Sequence, residues 1–492
     1  MKFFLRTTLP IIIGVLLLVY IVARAILLPI TIDEADTCLK HATASFHDIV
    51  TFADPIPNNH ILNTLLIKLS ASIFGMHTLP ARLPNILGFV LYFTMIFLIT
   101  RRISDNPIII LLGIVVMTFN PYLIDFFSLA RGYALSISFM AASLYFAWCF
   151  VERKSNRDLA WSVFFAIVSA YSNFTTLNFF VALVALLGII LFQENFSSAK
   201  TPEFLKRTWK AFAIIFSGCL LLAVISYLPI KVMEGTNQFV FWGSKGIYES
   251  TLIPLVAASQ YHINYFSISE KTFSNMLIVF LIIILLPAIW VWKSDRWQIG
   301  KHPQVFFMMI FIGTLAVNIL QFHLIHTPYL DARAGLFFYP LMAINIVLFA
   351  SWLHAKTKAS LYFFSIPVIL LAMLHISRSI NFKYCYQWWF NQHTYTVLNY
   401  LREEHEKNTV SPVSLDVSWL FYGSLYFHIV TDPEDWIQLK PFHMDVKPDS
   451  AFEYYYLFEN EKSTLDSQYV SVLSFPDGQN LMRRKDFSGE KK

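Results

Sequence analysis

The segment 8–36 reads TLPIIIGVLLLVYIVARAILLPITIDEAD, a long apolar run that ends in three carboxylic acids. A helix that crosses a membrane needs about 20 mostly apolar residues, and this run supplies them. Similar runs recur along the chain, so that hydrophobic residues make up 56% of the 492 residues and charged residues only 14%. Soluble domains carry roughly 25% charged residues, and the composition therefore excludes a wholly soluble protein.

The acidic residues divide the chain into two parts. Residues 1–377 hold 16 of them, and residues 378–492 hold the other 16 in a much shorter length. We therefore expect an α-helical polytopic membrane domain over 1–377 and a C-terminal domain in water over 378–492. The C-terminal pattern predicts a small α/β domain, with strands near 410–416, 451–457 and 468–474 and helices near 392–406 and 417–428.

Eleven apolar runs predict membrane spans. They lie at 8–29, 83–100, 108–126, 132–151, 158–172, 176–193, 210–230, 273–292, 305–322, 334–353 and 359–376. Basic groups such as Arg101-Arg102 and Arg153-Lys154 fall in alternate loops, and an excess of basic residues marks cytoplasmic loops. We therefore expect a multi-pass protein of the cell (inner) membrane, with a cytoplasmic N-terminus and an extracytoplasmic C-terminal domain. Basic residues scattered in this way do not predict a nucleic acid as partner.

The first outer loop, 31–82, opens with Asp33, Glu34 and Asp36 at the point where the first span leaves the bilayer. Acids at that depth are costly unless they have a partner or a task. An Asp in such a place can remove a proton from an acceptor hydroxyl or amine. The alternative interpretation is a solvated cap at a helix end, where acids are common.

The rest of this loop predicts a turn, a polar cluster and then an amphipathic helix of about sixteen residues on the membrane surface. His60 stands in the polar cluster, Lys68 on the helix and Arg82 at the head of the second span. A single cationic side chain at an interface often only snorkels toward water. Several such groups around one membrane edge favour a site for an anionic lipid.

These residues resemble the glycosyltransferase C superfamily, and more narrowly its branch of protein mannosyltransferases and lipid A aminoarabinose transferases. The resemblance covers about residues 1–380 and rests on Asp33-Glu34, the interfacial helix and the closing Ala81-Arg82-Leu83-Pro84. Two later segments agree, SLARGYAL at 128–135 and YLDARAGLFFYP at 329–340. The chain departs from many relatives where it has Asn59-His60-Ile61-Leu62 in place of a His-Pro-Pro-Leu-like stretch.

The resemblance implies an enzyme that moves a sugar from a polyprenyl-phosphate carrier to a lipid, glycan or protein acceptor on the outer face, with inversion. It makes Asp33 the catalytic base, while Glu34 is left to position the acceptor, hold Asp33 or help to bind a divalent cation. Arg131 and Arg333 are expected to bind the donor phosphate. Less central candidates for that phosphate are Arg82, Lys68 and His60.

Two other functions compete with this interpretation. One is a transporter or flippase of lipid-linked sugars, and the other is a polysaccharide ligase of another polytopic fold. Transporters place their ionisable residues near the bilayer midplane, often on broken helices that recur in internal repeats. The acids of this chain cluster at one outer edge, which favours the transferase.

Overall fold

The computed structural model describes residues 3–197, 202–238, 246–407, 412–432, 434–446, 452–463, 465 and 468–485. Its larger part is a bundle of membrane helices. The helices of this part are α1 (Leu9–Leu27), α2 (Ile32–Asp36), α3 (Phe46–Thr51), α4 (Ile61–Phe74), α5 (Thr78–Ile103), α6 (Pro107–Thr118), α7 (Pro121–Phe127), α8 (Gly132–Arg153), α9 (Asn156–Ser172), α10 (Leu177–Ser197), α11 (Pro202–Gly235), α12 (Ile253–Gln260), α13 (Glu270–Ser294), α14 (Pro303–Ile325), α15 (Phe338–Lys356) and α16 (Lys358–Ser379).

Nine helices within these described ranges are long and apolar enough to cross a membrane, and they overlap nine of the eleven expected spans. The third expected span, 108–126, is broken into α6 and α7, which meet at an angle of 68°. The break follows from Pro121, because proline cannot continue the hydrogen-bond ladder of α6. The Oδ1 atom of Asn120 accepts from the backbone N–H of Leu123 at 3.1 Å and so starts α7 as a separate helix.

The fifth expected span, 158–172, is α9, a helix of 17 residues. Its length of about 25 Å is shorter than the roughly 30 Å of a bilayer core. It nevertheless runs antiparallel to α8, since the hydroxyl of Ser143 donates to the carbonyl of Ser162 at 2.9 Å. At the far end, a side chain on Gly132 would strike the carbonyl of Ser172. The direction of the helices therefore reverses between α8 and α9, as it would for two membrane spans.

The outer loop between α1 and α5 contains α2, α3 and α4. The expected helix of about sixteen residues is α4, which has 14 residues. Its Asn63, Thr64 and Ile67 are buried, whereas Leu69 and Ile73 are exposed. The loop thus folds over the end of the bundle with one face of α4 turned inward.

The C-terminal part is a mixed five-stranded sheet with helices. Its elements are α17 (Thr394–Lys407), β1 (Val413–Val417), α18 (Trp419–Thr431), β2 (Ile437–Leu439), β3 (Tyr454–Phe458), α19 (Glu459–Lys462), β4 (Tyr469–Ser474) and β5 (Gln479–Arg484). The strand order is β2-β1-β3-β5-β4, with β1 parallel to β2 and β3 and with β5 antiparallel to β3 and β4. The three expected strands and two expected helices are confirmed, while β2 and β5 were not expected.

The C-terminal part packs on the outer loop through α18. Phe427 of α18 is fully buried in an apolar cluster with Ile30, Ala35 and Cys38, which flank or belong to α2. Such a cluster removes apolar surface of both parts from water, and this burial stabilises the contact. The short helix that carries the acids therefore lies between the membrane bundle and the sheet domain.

Candidate active site

The acidic helix α2 begins at a capping box. The hydroxyl oxygen of Thr31 accepts from the backbone N–H of Glu34 at 3.3 Å, and the Glu34 carboxylate accepts from the backbone N–H of Thr31 at 2.9 Å. This reciprocal pair satisfies donors that the first turn of a helix leaves free. The helix therefore starts at a fixed residue, and Asp33 and Glu34 project in different directions from it.

Glu34 points into the protein and is fully buried. Its two carboxylate oxygens accept from Nε and Nη2 of Arg82 at 2.8 and 2.7 Å. A further bond comes from the backbone N–H of Ala130 at 2.6 Å. With four donors around it, the carboxylate has no open side for an acceptor or a cation. The structure thus places Glu34 where it fixes α2, and its carboxylate faces neither an acceptor site nor a cation site, two of the roles that the sequence left open.

Arg82 is equally closed. Its remaining N–H groups donate to the backbone carbonyls of Ala25, Leu28 and Pro29 at 3.1, 2.8 and 2.9 Å. These carbonyls belong to the C-terminal end of α1, where the last turn leaves acceptors unpaired. Arg82 therefore joins α1 to α2 and has no donor left for a phosphate. The expectation that it binds the donor phosphate is replaced by this structural role.

Asp33 has the opposite environment. Its Oδ2 atom lies 2.9 Å from Nη1 of Arg333 and 3.6 Å from Nη2 of Arg131. The side chains of Asp33 and Arg333 keep 18% and 28% of their surface exposed. The structure thus brings together three of the predicted site residues, which we call the open cluster: Asp33, Arg131 and Arg333.

Arg131 is held in this cluster by polar side chains of the loop. Its guanidinium donates to the hydroxyl of Thr37 and to Oδ1 of Asn58, both at 3.0 Å. Its Nε atom is buried and has no hydrogen-bond partner within the part of the chain that the structure describes. Arg131 stands immediately before α8, so that the end of a membrane helix sets its depth.

Arg333 lies in a 3-10 turn, Ala332–Gly335, between α14 and α15. Its guanidinium carbon is 5.1 Å from the centre of the Trp388 ring, a cation–π distance. Trp388 is buried and is one of the groups that lower the pKa of Asp33. The sequence did not indicate Trp388, because aromatic residues near span ends are usually interface anchors.

The charges of the open cluster set the ionisation of Asp33. Burial favours the neutral acid, but the guanidinium groups of Arg333 and Arg131 outweigh burial and lower the pKa of Asp33 below its ordinary value. Asp33 is therefore an anion in this state. It pairs with both arginines, and any other anion that enters the cluster has to share these arginines with Asp33.

His60 lies behind the open cluster. Its ring is buried and packs edge-on against Tyr133, with 4.9 Å between the ring centres. Burial and the nearby Arg131 and Arg333 hold the pKa of His60 well below its ordinary value, so the imidazole is neutral. Its Nε2 atom is without a hydrogen-bond partner among the described residues. His60 is thus a neutral group close to the arginines rather than a third cation.

Lys68 binds backbone carbonyls instead of joining the open cluster. Its ammonium group donates to the backbone carbonyls of Ala42 and Ala44 at 3.1 and 2.8 Å, and it thereby closes the turn before α3. These bonds give Lys68 a local structural task. No group of three or more His, Cys, Asp or Glu side chains is placed to hold a metal ion in the described ranges.

A third arginine–carboxylate pair lies next to the site and is also closed. Arg24 of α1 pairs with Asp125 of α7, and both are buried. Asp125 also accepts from the hydroxyl of Tyr261 at 2.9 Å and from the backbone N–H of Tyr386 at 2.8 Å. This pair fastens the start of the C-terminal part to the membrane bundle.

The helix bundle and the small sheet domain that packs on it define a polytopic α-helical membrane protein with a C-terminal α/β domain. ArnT from Cupriavidus metallidurans in the apo state has the same fold, with a TM-score of 0.52 and 10% identity over 99% of this chain and 98% of that chain. This likeness confirms the expected fold class.

Other solved structures are also similar. ArnT from the same organism bound to undecaprenyl phosphate matches with a TM-score of 0.49 and 10% identity, over 99% of both chains. The oligosaccharyltransferase of Archaeoglobus fulgidus tethered with an acceptor peptide matches with a TM-score of 0.47 and 12% identity, over 94% of this chain and 70% of that chain. No protein-family model matches the sequence, and no curated protein matches it.

Proposed function

We propose that this protein is an integral membrane glycosyltransferase. It moves a sugar from a polyprenyl-phosphate carrier to a lipid, glycan or protein acceptor at the outer face of the membrane, with inversion. The observation that carries the proposal is the open cluster, in which one partly exposed acid faces two arginines at the ends of membrane helices. The glycosyltransferase C fold supports it.

The two arginines suit a lipid phosphate. A guanidinium carries five N–H donors and stays charged at every physiological pH. Arg333 makes one side-chain hydrogen bond within the described residues, to Asp33, and is 28% exposed, so that most of its donors are not occupied by protein acceptors there. Arg131 and Arg333 lie at the level where α8 and α15 begin. A phosphate at the head of a membrane-embedded carrier lies at a similar depth.

The chemistry assigned to Asp33 follows from this arrangement. When the donor phosphate approaches the arginines, their charge is shared between the phosphate and Asp33, and the carboxylate becomes a stronger base. The acceptor hydroxyl or amine attacks the anomeric carbon from the side opposite the phosphate, and its proton passes to Asp33. The bond between that carbon and the phosphate oxygen breaks, and polyprenyl phosphate leaves with the electron pair. Arg131 and Arg333 stabilise the charge that develops on it.

The other predicted residues take supporting parts. Glu34 and Arg82 hold α2 against the end of α1 and do not contact the donor. His60, neutral and adjacent to Arg131, is retained as a hydrogen-bonding candidate for the phosphate or sugar. Lys68 is not retained as a phosphate ligand, because two backbone carbonyls occupy its ammonium group. A divalent cation is not assigned to any residue.

The proposed location is the cell (inner) membrane, with the N-terminus in the cytoplasm and the open cluster and sheet domain outside. The excess of basic residues in alternate loops supports this orientation. Reporter fusions after Lys154 and after Lys492 should report opposite sides of the membrane. Fusions that report the same side would contradict the placement of the site.

The distribution of buried charge separates this proposal from a flippase. Within the described residues three arginines are buried, Arg24, Arg82 and Arg131; each pairs with a carboxylate, and all three lie at the ends of spans that we place outside. A transporter places such groups near the midplane, along the path of its substrate. The open cluster is instead an edge site, reached from the outer surface and from the membrane.

The proposal is tested by mass spectrometry of membrane glycolipids and glycans from cells with and without the gene. The expected result is a glycoconjugate that requires the gene and is absent when the gene carries Asp33→Asn. We define activity as the amount of this product per folded protein molecule, with folded protein measured by size-exclusion chromatography of a fluorescent fusion. Loss of the glycoconjugate with the polyprenyl-linked sugar retained on the cytoplasmic side would instead indicate a flippase, and an unchanged glycan profile would contradict the proposal.

A further inference from the structure

The sheet domain touches the acidic helix at a glycine. A Cβ atom on Gly423 of α18 would lie 2.9 Å from Cγ1 of Ile32, 3.2 Å from its Cα and 3.3 Å from its carbonyl oxygen. Two of these three neighbours are backbone atoms of α2. Glycine inside a helix costs about 0.5–1 kcal/mol relative to alanine, so its presence in α18 requires a gain. The gain here is the close approach of α18 to α2.

A second contact joins the same two helices. The backbone N–H of Ile32 donates to Oδ1 of Asn391 at 3.2 Å, and the side-chain amide of Asn391 donates to the carbonyl of Leu420 at 3.2 Å. The N–H of Ile32 is one of the donors that the first turn of a helix cannot satisfy itself. Asn391 is buried and therefore bridges the start of α2 to the start of α18.

The 3-10 turn that contains Asn391, Tyr386–Asn391, also supplies Trp388. The ring of Trp388 lies 5.1 Å from the guanidinium carbon of Arg333, the residue that pairs with Asp33. Residues that lie outside the membrane bundle thus reach the open cluster at two points, directly through Trp388 and through α2 by way of Asn391.

The length of α2 makes this support necessary. It has five residues and continues directly into a π-helical turn, Thr37–His41, and a helical segment of this total length is only marginally stable on its own in water. Glu34 and its partner Arg82 fix one side of α2 to the bundle, and Gly423 and Asn391 fix the other. The position of the Asp33 carboxylate therefore depends on both contacts.

We propose that the C-terminal domain is a positioning element of the active site. Its helix α18 and the 386–391 turn set the place of α2, and through it the distance from Asp33 to the reacting atoms. The inference rests on the proposed function, because it assigns Gly423, Asn391 and Trp388 to the reaction of the open cluster. These are positioning residues, and none of them is required to bind the acceptor.

The test compares three variants for activity and for binding of undecaprenyl phosphate, the lipid bound to ArnT in one of its structures. The first variant, Gly423→Ala, adds a methyl group that strikes Ile32. The second combines Gly423→Ala with Ile32→Ala, which removes the Cγ1 atom that this methyl group strikes. The third, Val430→Ala, is the control, because it changes an exposed residue of the same helix. A displacement of about 1 Å costs on the order of 10²-fold in rate, so the first variant should lose about 10- to 100-fold in activity. Its affinity for undecaprenyl phosphate should stay within about twofold of wild type.

Partial recovery of activity per folded molecule in the double variant supports the inference, since Ile32→Ala removes the Cγ1 atom that the new methyl group strikes. Wild-type activity in Gly423→Ala overturns it. If Gly423→Ala does not fold, Asn391→Ala and Trp388→Phe decide the matter by the same measurements, and normal activity in both overturns the inference. Asp33→Asn is measured in parallel, because an active Asp33→Asn would contradict the proposed function itself, independently of the sheet domain.

Discussion

Asp33 and Glu34 are neighbours in the chain, both are acids, and each faces an arginine, yet their surroundings differ completely. Glu34 and Arg82 are fully buried, and their hydrogen bonds are satisfied by one another and by backbone groups. Asp33 and Arg333 are 18% and 28% exposed. The first pair is closed to other molecules, and the second is accessible to them.

The difference teaches how to separate a structural ion pair from a reactive one. A buried guanidinium whose donors are all occupied cannot accept a phosphate without breaking bonds that hold the fold. A guanidinium that shares one carboxylate with a second arginine can exchange that partner for another anion. We therefore expect changes at Asp33 to affect turnover, and changes at Glu34 to affect stability.

The largest expected effect is on turnover in Asp33→Asn. The amide keeps the size of the side chain but cannot take a proton, and a general base contributes about 10²–10⁴-fold in rate. Activity should fall by at least about 100-fold, while the affinity for undecaprenyl phosphate is retained or increased because two arginines are freed. Asp36→Asn is the matched control, since Asp36 pairs with Lys40 outside the open cluster.

The next effect is the loss of stability in Glu34→Gln. Removing one charge from a fully buried pair leaves the other uncompensated and costs about 3–5 kcal/mol in the free energy of unfolding. Thermal unfolding in detergent should show a clear decrease in midpoint. Glu152→Gln at the opposite end of the helix bundle, where the partner Arg102 is partly exposed, should change the midpoint little. Equal midpoints for the two variants would contradict the structural role of Glu34.

A smaller effect is expected on donor binding in Arg131→Gln and Arg333→Gln. A hydrogen bond to a charged group contributes about 1.5–3 kcal/mol, so each change should weaken binding of undecaprenyl phosphate by roughly 10- to 100-fold. Lysine at either position should restore only part of the affinity, because it lacks the planar fork. Unchanged affinity in a well-folded double variant would remove both arginines from the site.

The smallest effect concerns pH. Because the pKa of folded Asp33 lies below its unfolded value, ionised Asp33 stabilises the protein above about pH 3.9. This contribution is lost as the pH falls from that value through the lower folded pKa. The unfolding midpoint of wild type should therefore decrease more steeply with acid than that of Asp33→Asn. Parallel curves would show that the arginines do not interact with Asp33 in solution.

Much of the fold could be predicted from the sequence, because apolar runs and charge asymmetry report directly on the membrane. Nine expected spans, the loop helix α4 and the three strands β1, β3 and β4 were found where expected. The break between α6 and α7 depends on Asn120-Pro121, a signal that is present in the sequence and that the hydropathy of the run concealed.

The site was predicted less completely. The positions of Arg131 and Arg333 could be predicted because both residues stand at the ends of spans. The burial of Arg82 could not be predicted, since the spacing of residues does not show which arginine donates to a backbone carbonyl. One signal was available and missed, the Thr31-x-x-Glu34 spacing of a capping box, which indicates the inward role of Glu34. Trp388 lies far away in the chain, and only tertiary structure brings it to Arg333.

The central claim is that two adjacent acids have separate tasks, and one measurement tests it most directly. Wild type, Asp33→Asn and Glu34→Gln are produced in the same cells lacking the gene, and the glycoconjugate is measured per folded molecule. We predict near-normal folded protein with almost no product for Asp33→Asn, and less folded protein with product per molecule within a few-fold of wild type for Glu34→Gln. Normal product from Asp33→Asn together with folded but inactive Glu34→Gln would contradict the account and transfer the role of base to Glu34.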